Sequence, residues 1–127
     1  TRYAEMLSKK MKEANVNVWL INTGWSGGPY GVGSRIKLRY TRAMITAALE
    51  GKLDDQEFKR EPFFGLYLPE SCPDVPDEVL FPKQTWKDPS AYDEKADELA
   101  RSFHENFEKF SDYANDEIME GSPDVGK

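Results

Sequence analysis

The sequence has little of the residue types from which thiol, disulfide and histidine metal sites are built. Its 127 residues include one cysteine, Cys72, and one histidine, His104. A lone cysteine excludes an intrachain disulfide, and a lone histidine offers no cluster of imidazoles for a metal ion. Cys72 lies between Ser71 and Pro73, which is typical of a loop thiol in a reducing compartment, so we expect a cytoplasmic protein.

Long apolar runs and an excess of cations are also missing. No window approaches the about 18 uninterrupted apolar residues of a membrane-spanning helix, and no basic leader precedes an apolar core. Seventeen basic and 23 acidic residues give a net charge of -6. Proteins that bind nucleic acid or anionic membranes present an excess of Lys and Arg. We therefore expect neither as a partner, although local basic clusters can bind a small anion.

Hydrophobic periodicity in the first 40 residues predicts a helix and two strands. Residues 1–14 have apolar side chains at helical spacing, and residues 16–21 are β-branched, aromatic and almost continuously apolar, as in a strand buried on both faces. In residues 35–40 cationic and apolar side chains alternate, which predicts a strand with one cationic face. The apolar face has Ile36, Leu38 and Tyr40, and the cationic face has Arg35, Lys37 and Arg39.

The pattern of residues 41–87 predicts a helix, a strand and an irregular segment. Thr41 is a candidate N-cap for a helix over residues 42–50, and Gly51 is placed to end it at C′. Residues 52–62 are a charged connection. Residues 63–68 predict a strand, and the prolines in residues 69–87 indicate an extended, irregular segment.

A long helix is the most regular feature of the remaining sequence. Asp88 and Pro89 form an N-cap followed by proline at N1, and aromatic and small residues then follow helical spacing as far as Phe110. We interpret this stripe as packing. Residues 111–127 are acidic and contain Gly and Pro, so we expect them to fray. The elements together predict a mixed α/β fold.

A glycine-rich loop within residues 22–42 is the strongest candidate for function. Glycine occupies half of the ten positions from 24 to 33, which suits a backbone that takes positive φ or passes close to another surface. A phosphate-binding loop needs a Lys-Ser/Thr pair after its last glycine, and here Ser34 and Arg35 follow Gly33. The dinucleotide-binding spacing is also absent. A structural loop and a ligand-facing loop both remain open.

Arg35 and Thr41 are more specific candidates for ligand binding than the glycine loop as a whole. A guanidinium beside a glycine turn can stack on a planar base or bind an anion, and a threonine at a helix N-terminus offers a hydroxyl and a free amide. The alternative is that Arg35 forms a surface ion pair and Thr41 only caps the helix. No convincing acid, base, nucleophile or metal cluster emerges elsewhere, so we predict no catalytic and no metal-binding residue in this chain.

Residues 22–36, Asn-Thr-Gly-Trp-Ser-Gly-Gly-Pro-Tyr-Gly-Val-Gly-Ser-Arg-Ile, and residues 40–43, Tyr-Thr-Arg-Ala, closely resemble the C-terminal region of ATP-dependent phosphoenolpyruvate carboxykinases. The resemblance extends over essentially the whole chain. Small departures are Ser26, where threonine is expected, and Ser34, where lysine or arginine is common. The resemblance implies that residues 1–110 are part of a C-terminal mononucleotide-binding α/β domain, followed by the tail of residues 111–127.

The resemblance also implies a function. The family converts oxaloacetate and ATP to phosphoenolpyruvate, carbon dioxide and ADP in gluconeogenesis, with Mg²⁺ on ATP and a second metal, typically Mn²⁺, at the substrate. By resemblance, Arg35 and Ile36 contact the adenine end of ATP and Thr41 helps to close that pocket. The family's phosphate loop, metal ligands and oxaloacetate-binding arginine lie upstream of this region.

We therefore expect a fragment that supplies one wall of the ATP site, is inactive alone and has the remainder of the same enzyme as its partner. The alternative is a non-catalytic interaction or anion-binding domain that uses the glycine loop and the basic strand.

Overall fold

The structure is a computed structural model that describes residues 2–125. Within this range the chain forms six α-helices, one 3₁₀ helix and four short strands. The strands pair into two separate two-stranded antiparallel sheets. The predicted mixture of helices and strands is confirmed. No helix in the described range has both the length and the apolar character needed to cross a membrane.

Helix α1 spans Arg2–Ala14 and confirms the predicted first helix, whose residue 1 lies outside the described residues. It ends at Asn15, which adopts a φ of 48°. Asparagine tolerates this left-handed conformation better than most side chains. None of the residues of α1 is buried, so this helix has an amphipathic sequence without a covered apolar face.

The predicted strand at residues 16–21 is not formed, which corrects the sequence-based assignment. Val16, Val18 and Leu20 are exposed, with 55%, 57% and 79% of their surface accessible, whereas Trp19 and Ile21 are partly buried. A strand requires a neighbouring strand with which to exchange hydrogen bonds. Within residues 2–125, no backbone-to-backbone hydrogen bond involves residues 16–21.

The glycine loop folds as a β-hairpin. Strand β1, Trp25–Ser26, pairs antiparallel with strand β2, Ser34–Arg35, and the Ile36 amide donates to the Gly24 carbonyl at 2.9 Å. The prediction of a strand over residues 35–40 is wrong beyond Arg35, because helix α2 already begins at Leu38. The cations at positions 35, 37 and 39 therefore do not share one strand face.

Helix α2 spans Leu38–Leu49, and its N-cap is Lys37, without a side-chain cap. The prediction that Thr41 caps this helix is wrong. Residues 38–40 are already helical, and the Thr41 amide donates to the Lys37 carbonyl at 3.3 Å. At the other end Gly51 follows the C-cap with a φ of 68°. Its predicted C′ position is confirmed, since glycine adopts positive φ without steric cost.

The second hairpin pairs β3, Phe58–Arg60, with β4, Tyr67–Pro69. Strand β3 lies inside the segment predicted as a charged connection, and β4 starts later than the strand predicted at residues 63–68. The reason lies in the intervening turn, where Glu61 accepts hydrogen bonds from the amides of Phe63 and Phe64 at 3.1 and 2.6 Å. Those amides are bonded to a carboxylate, which takes residues 63–64 out of the ladder.

The segment at residues 69–87 is less irregular than predicted. It contains two one-turn helices, α3 at Asp77–Leu80 and α4 at Pro82–Thr85. Pro76 is the N-cap of α3 and Pro82 is at the start of α4, where the missing proline N–H costs no intrahelical hydrogen bond.

Helix α5 spans Pro89–Phe107, and its predicted start is confirmed. The Asp88 carboxylate accepts from the amides of Ser90 and Ala91 at 2.9 and 3.4 Å. A 3₁₀ helix, Glu108–Tyr113, and helix α6, Asp116–Glu120, follow. Of the predicted tail, residues 126 and 127 lie outside the described residues, and the division at residue 110 stays a prediction.

The buried core is small and lies after residue 38. Helix α2, the turn that follows it and the proline segment contribute its apolar cluster, and partly buried Trp19, Tyr40 and Met44 pack against it. The cluster consists of Ala47, Leu53, Cys72, Val75 and Leu80. This core fixes the position of α2, at whose N-terminal end the glycine hairpin is attached.

Candidate functional site

The glycine hairpin, residues 24–36, is shaped by backbone geometry that only glycine accepts easily. The Pro29 carbonyl accepts from the amides of Val32 and Gly33 at 3.0 and 2.9 Å, which closes the turn. A Cβ atom on Gly33 would lie 2.5 Å from the Gly28 carbonyl oxygen and 2.7 Å from that of Ser26. Such distances are well inside van der Waals contact, so the two arms can approach only because residue 33 is glycine.

The hairpin is held against the chain just before α5. The Ser26 hydroxyl donates to the Thr85 hydroxyl oxygen at 3.1 Å, and Thr85 donates onward to the Pro82 carbonyl at 2.6 Å. A Cβ atom on Gly27 would lie 3.1 Å from the Thr85 carbonyl oxygen. The loop is therefore a packed element with a fixed position rather than a free connection.

A large, mostly apolar cavity of about 1080 Å³ opens beside the hairpin. Its walls come from the hairpin, the segment of residues 17–22, the second hairpin and the start of α5. The aromatic and aliphatic residues that line it include Trp19, Trp25, Ile36, Leu68, Trp86 and Tyr92. Ligand sites are commonly concave and lined by such residues.

The three sequence-predicted binding residues occupy different environments. Ile36 is partly buried and lines the cavity, whereas Arg35, at the end of β2, is exposed and lies outside its lining. Thr41 is 7% exposed and lies within the first turn of α2. Its amide is bonded to Lys37, so the expected free amide edge at Thr41 is absent. The structure thus brings Arg35 and Ile36 together at the hairpin's end, with Thr41 in the adjoining helix.

Two further cations, Lys37 and Arg39, follow Arg35 closely in the sequence. Lys37 and Arg39 lie over the Tyr40 ring at 5.7 and 4.7 Å, and Arg39 Nη2 donates to Tyr40 Oη at 2.8 Å. The first turn of α2 contains no acidic residue. Within residues 2–125 Arg35 forms no ion pair. The alternative role of Arg35 was a surface ion pair. In the described part of the chain, no acidic side chain forms such a pair with Arg35.

The cavity wall also contains Tyr92, which the sequence patterns did not single out for binding. Its ring meets those of Phe63 and Trp86 edge-on, with centroid distances of 6.4 and 5.7 Å. Burial, followed by the charges of Glu61 and Asp93, raises the pKa of Tyr92 from 10.0 to about 12. At neutral pH this phenol is a protonated hydrogen-bond donor. In the sequence, the only feature that pointed to Tyr92 was its position in the aromatic stripe of α5.

The remaining candidate groups show no arrangement typical of catalysis. Burial, followed by the charge of Asp74, raises the pKa of the Cys72 thiol, which opposes formation of the nucleophilic thiolate. His104 Nε2 lies 2.6 Å from the Pro123 carbonyl oxygen. Among residues 2–125 no three His, Cys, Asp or Glu side chains are grouped so that they can hold a metal ion.

Comparison with known proteins identifies the family. The family profile described as phosphoenolpyruvate carboxykinase matches residues 1–78. A protein of Christiangramia forsetii named phosphoenolpyruvate carboxykinase (ATP) is 63% identical over 123 residues, which are 97% of this chain and 23% of that relative. Relatives with the same name are 62% identical in Flavobacterium johnsoniae, over 97% of this chain and 23% of the relative, and 60% identical in Geobacillus thermodenitrificans, over 86% and 21%.

The match covers nearly all of this chain but only a small part of each relative. The chain spans less than a quarter of the length of these curated relatives. The glycine hairpin, Ile36 and Thr41 all fall within the residues that the family profile matches. The resemblance carried by residues 22–43 is therefore confirmed, and the chain belongs to the ATP-dependent phosphoenolpyruvate carboxykinase family.

Proposed function

We propose that this chain supplies the adenine-side wall of the ATP site in an ATP-dependent phosphoenolpyruvate carboxykinase. The whole enzyme would convert oxaloacetate and ATP to phosphoenolpyruvate, carbon dioxide and ADP, as a cytoplasmic step of gluconeogenesis. The relatives' names support the activity. The observation that carries the role of this chain is the fixed hairpin end, where an exposed Arg35 adjoins Ile36 in the cavity wall.

Each of the three residues has a proposed part. The Arg35 guanidinium is planar, permanently charged and unpaired by any acid within residues 2–125, so it can stack on the face of adenine. Ile36 would pack against the base from the cavity side. Thr41 is buried in the first turn of α2, and its hydroxyl would help to close the pocket.

Two divalent metals complete the proposal. Mg²⁺ would enter with ATP, and Mn²⁺ would bind at the oxaloacetate site. Phosphoryl transfer requires the phosphates and the metals to be positioned in one place. We assign their ligands to the remaining length of the enzyme, because the chain covers 23% of the relatives it matches. The 127-residue chain alone would then be inactive.

A chimaera tests the nucleotide role. The chain would replace the matched 123 residues of the Christiangramia forsetii relative, and ATP binding would be measured by calorimetry. Arg35→Ala should weaken ATP binding about tenfold, since a desolvated cation–π contact contributes about 1–2 kcal/mol. Arg101→Ala, an exposed arginine on α5, serves as the matched control. Equal ATP affinities of the two variants would contradict the proposed stacking.

Activity of the isolated chain provides the second test. No metal-dependent formation of phosphoenolpyruvate from oxaloacetate and ATP is expected from the 127 residues alone, whereas the chimaera should form it. Turnover by the isolated chain would overturn the assignment of phosphate and metal ligands to the rest of the enzyme. A chimaera that binds no ATP would instead favour the alternative, a non-catalytic interaction or anion-binding domain.

A further inference from the structure

The two hydroxyls that join the glycine hairpin to the chain before α5 have a fixed hydrogen-bond direction. Thr85 Oγ1 donates to the Pro82 carbonyl oxygen at 2.6 Å. A hydroxyl has a single proton, so toward Ser26 the Thr85 oxygen can only accept. Ser26 Oγ therefore donates to it across 3.1 Å. The two hydrogen bonds form a chain from Ser26 through Thr85 to Pro82, here called the hydroxyl relay.

The hydroxyl relay is the polar attachment of the hairpin to residues 38–125. Within residues 2–125, no other hydrogen bond and no ion pair joins residues 24–36 to that part of the chain. The backbone hydrogen bonds to the Gly24 and Pro29 carbonyls are internal to the hairpin. They fix the shape of the hairpin, whereas the hydroxyl relay fixes its position.

The hydroxyl relay acts on the strand that pairs with Arg35. In the ladder Ser26 lies opposite Ser34, and Trp25 lies opposite Arg35. Each strand has only two residues, so a shift of Ser26 moves the whole ladder, Arg35 included. Within residues 2–125 no ion pair holds the Arg35 guanidinium. Its position therefore depends on the backbone that the hydroxyl relay anchors.

We propose that Thr85 is a positioning residue of the nucleotide site, because the hydroxyl relay holds Arg35 where it can stack on adenine. This role rests on the proposed function, since it takes the contact between Arg35 and adenine as given. A binding group that is held in place before its ligand arrives reduces the ordering cost of binding. Serine at position 26, where the family resemblance leads one to expect threonine, still supplies the hydroxyl donor that the hydroxyl relay requires.

Substitutions at position 85 test the hydroxyl relay in the chimaera described above. Thr85→Val retains the shape of the side chain without its hydroxyl, while the close packing of Gly27 against the Thr85 carbonyl remains. ATP should bind about three to five times more weakly, which is the loss expected for one neutral hydrogen bond. Thr85→Ser retains the hydroxyl and should bind ATP as the parent does. Thr46→Val, the same replacement at an exposed threonine of α2, is the matched control.

Steady-state kinetics distinguish positioning from a general loss of structure. In Thr85→Val the KM for ATP should rise about three- to fivefold, whereas kcat and the KM for oxaloacetate should change by less than about twofold. A fall in kcat with an unchanged KM for ATP would overturn the proposal. Equal ATP affinities of Thr85→Val and Thr46→Val would also overturn it.

Ser26 allows the same test from the other end of the hydroxyl relay, even if Thr85→Val fails to fold. Ser26→Ala removes the donor but leaves the bond between Thr85 and Pro82. It should weaken ATP binding about three- to fivefold, and Ser26→Thr should restore the affinity. Equal affinities of Ser26→Ala and Ser26→Thr would contradict a role for the hydroxyl.

A double-mutant cycle tests whether Thr85 acts through Arg35. In an Arg35→Ala background there is no guanidinium to misplace, so adding Thr85→Val should weaken ATP binding by less than about twofold. Equal losses in the two backgrounds would overturn the proposal, because they would show that Thr85 affects ATP independently of Arg35.

The outcomes separate the positioning role from the proposed function. ATP affinity that falls with Arg35→Ala but not with Thr85→Val would retain the adenine contact and reject the positioning role. ATP affinity that is insensitive to Arg35→Ala would reject the adenine contact, and with it any role of Thr85 in placing that contact.

Discussion

Residues 2–37 and residues 38–125 are built from similar side chains but differ in what those side chains contact. No residue from 2 to 37 is buried, whereas the later region contains every member of the apolar cluster. The early region nevertheless includes an amphipathic helix and the strongly apolar segment of residues 16–21. Hydrophobic residues are covered only where a complementary surface exists, so the difference between the regions reflects available partners rather than composition.

The later region supplies its own partners through short connections. Helix α2 is followed at once by the turn that places Leu53 in the cluster, and the proline segment covers the same surface with Val75 and Leu80. The early region contacts the later one through the glycine hairpin, held at Thr85, and through Trp19, which packs against the apolar cluster. We infer that residues 38–125, which contain the whole apolar cluster, determine most of the stability of the isolated chain.

The largest expected effect is a difference in unfolding free energy between alanine substitutions of two leucines, one in each region. Leu53→Ala should lower the free energy of unfolding of the isolated chain by about 2–5 kcal/mol, because it leaves a cavity at a site that is 4% exposed. Leu20→Ala, at a site that is 79% exposed, should change it by less than about 0.5 kcal/mol. Urea unfolding followed by circular dichroism measures both. Similar losses for the two variants would break the distinction between the regions.

A smaller effect is expected from alanine substitutions of two glycines in the glycine hairpin. It tests whether this exposed hairpin is rigid. Gly33→Ala places a Cβ atom 2.5 Å from the Gly28 carbonyl oxygen and should cost the hairpin about 1–3 kcal/mol. Gly31→Ala meets no atom within 4 Å and should cost about 1 kcal/mol, from its φ of 89° alone. Exchange of the Ile36 amide, which donates to Gly24, reports the opening. Faster exchange in Gly31→Ala than in Gly33→Ala would contradict this geometry.

The smallest effect is a pH dependence in the later region. The folded chain raises the pKa of Tyr92 from 10.0 to about 12, mainly by burial, so the unfolded chain loses this proton first. The resulting stability is complete below about pH 10 and is lost as the pH rises toward about 12. Tyr92→Phe should therefore show a shallower decline in unfolding free energy between about pH 9 and about pH 11. Parallel curves for Tyr92→Phe and the parent chain would exclude this contribution.

Helix boundaries with local causes could be predicted from the sequence. The Asp88 cap and Pro89 determine the start of α5, and Gly51 follows the end of α2, because each acts on backbone groups a few residues away. The start of α2 could not be predicted, since residues 36–40 fit both periodicities. Tyr40, Met44 and Ala47 continue the helical spacing while Ile36, Leu38 and Tyr40 alternate as in a strand.

Features that depend on distant contacts were predicted less well. The segment at residues 16–21 has strand composition, but pairing needs a neighbour that residues 2–125 do not provide. The burial of Glu61 was not predicted, although its carboxylate accepts from amides only two and three residues further along the chain. For the candidate site, the residues themselves indicated the glycine turn, Arg35 and Thr41. Ile36 and the adenine contact of the site came from the resemblance.

The cavity wall has one consequence for spectroscopy. All three tryptophans of the chain, Trp19, Trp25 and Trp86, line it. Indole emission shifts to shorter wavelength when water is excluded, so the whole tryptophan fluorescence of this protein originates from the cavity wall that a bound nucleotide would cover. Tryptophan fluorescence of the unlabelled chain can therefore report binding at this cavity. The half-exposed Trp25 should show the largest shift, because it has the most water to lose.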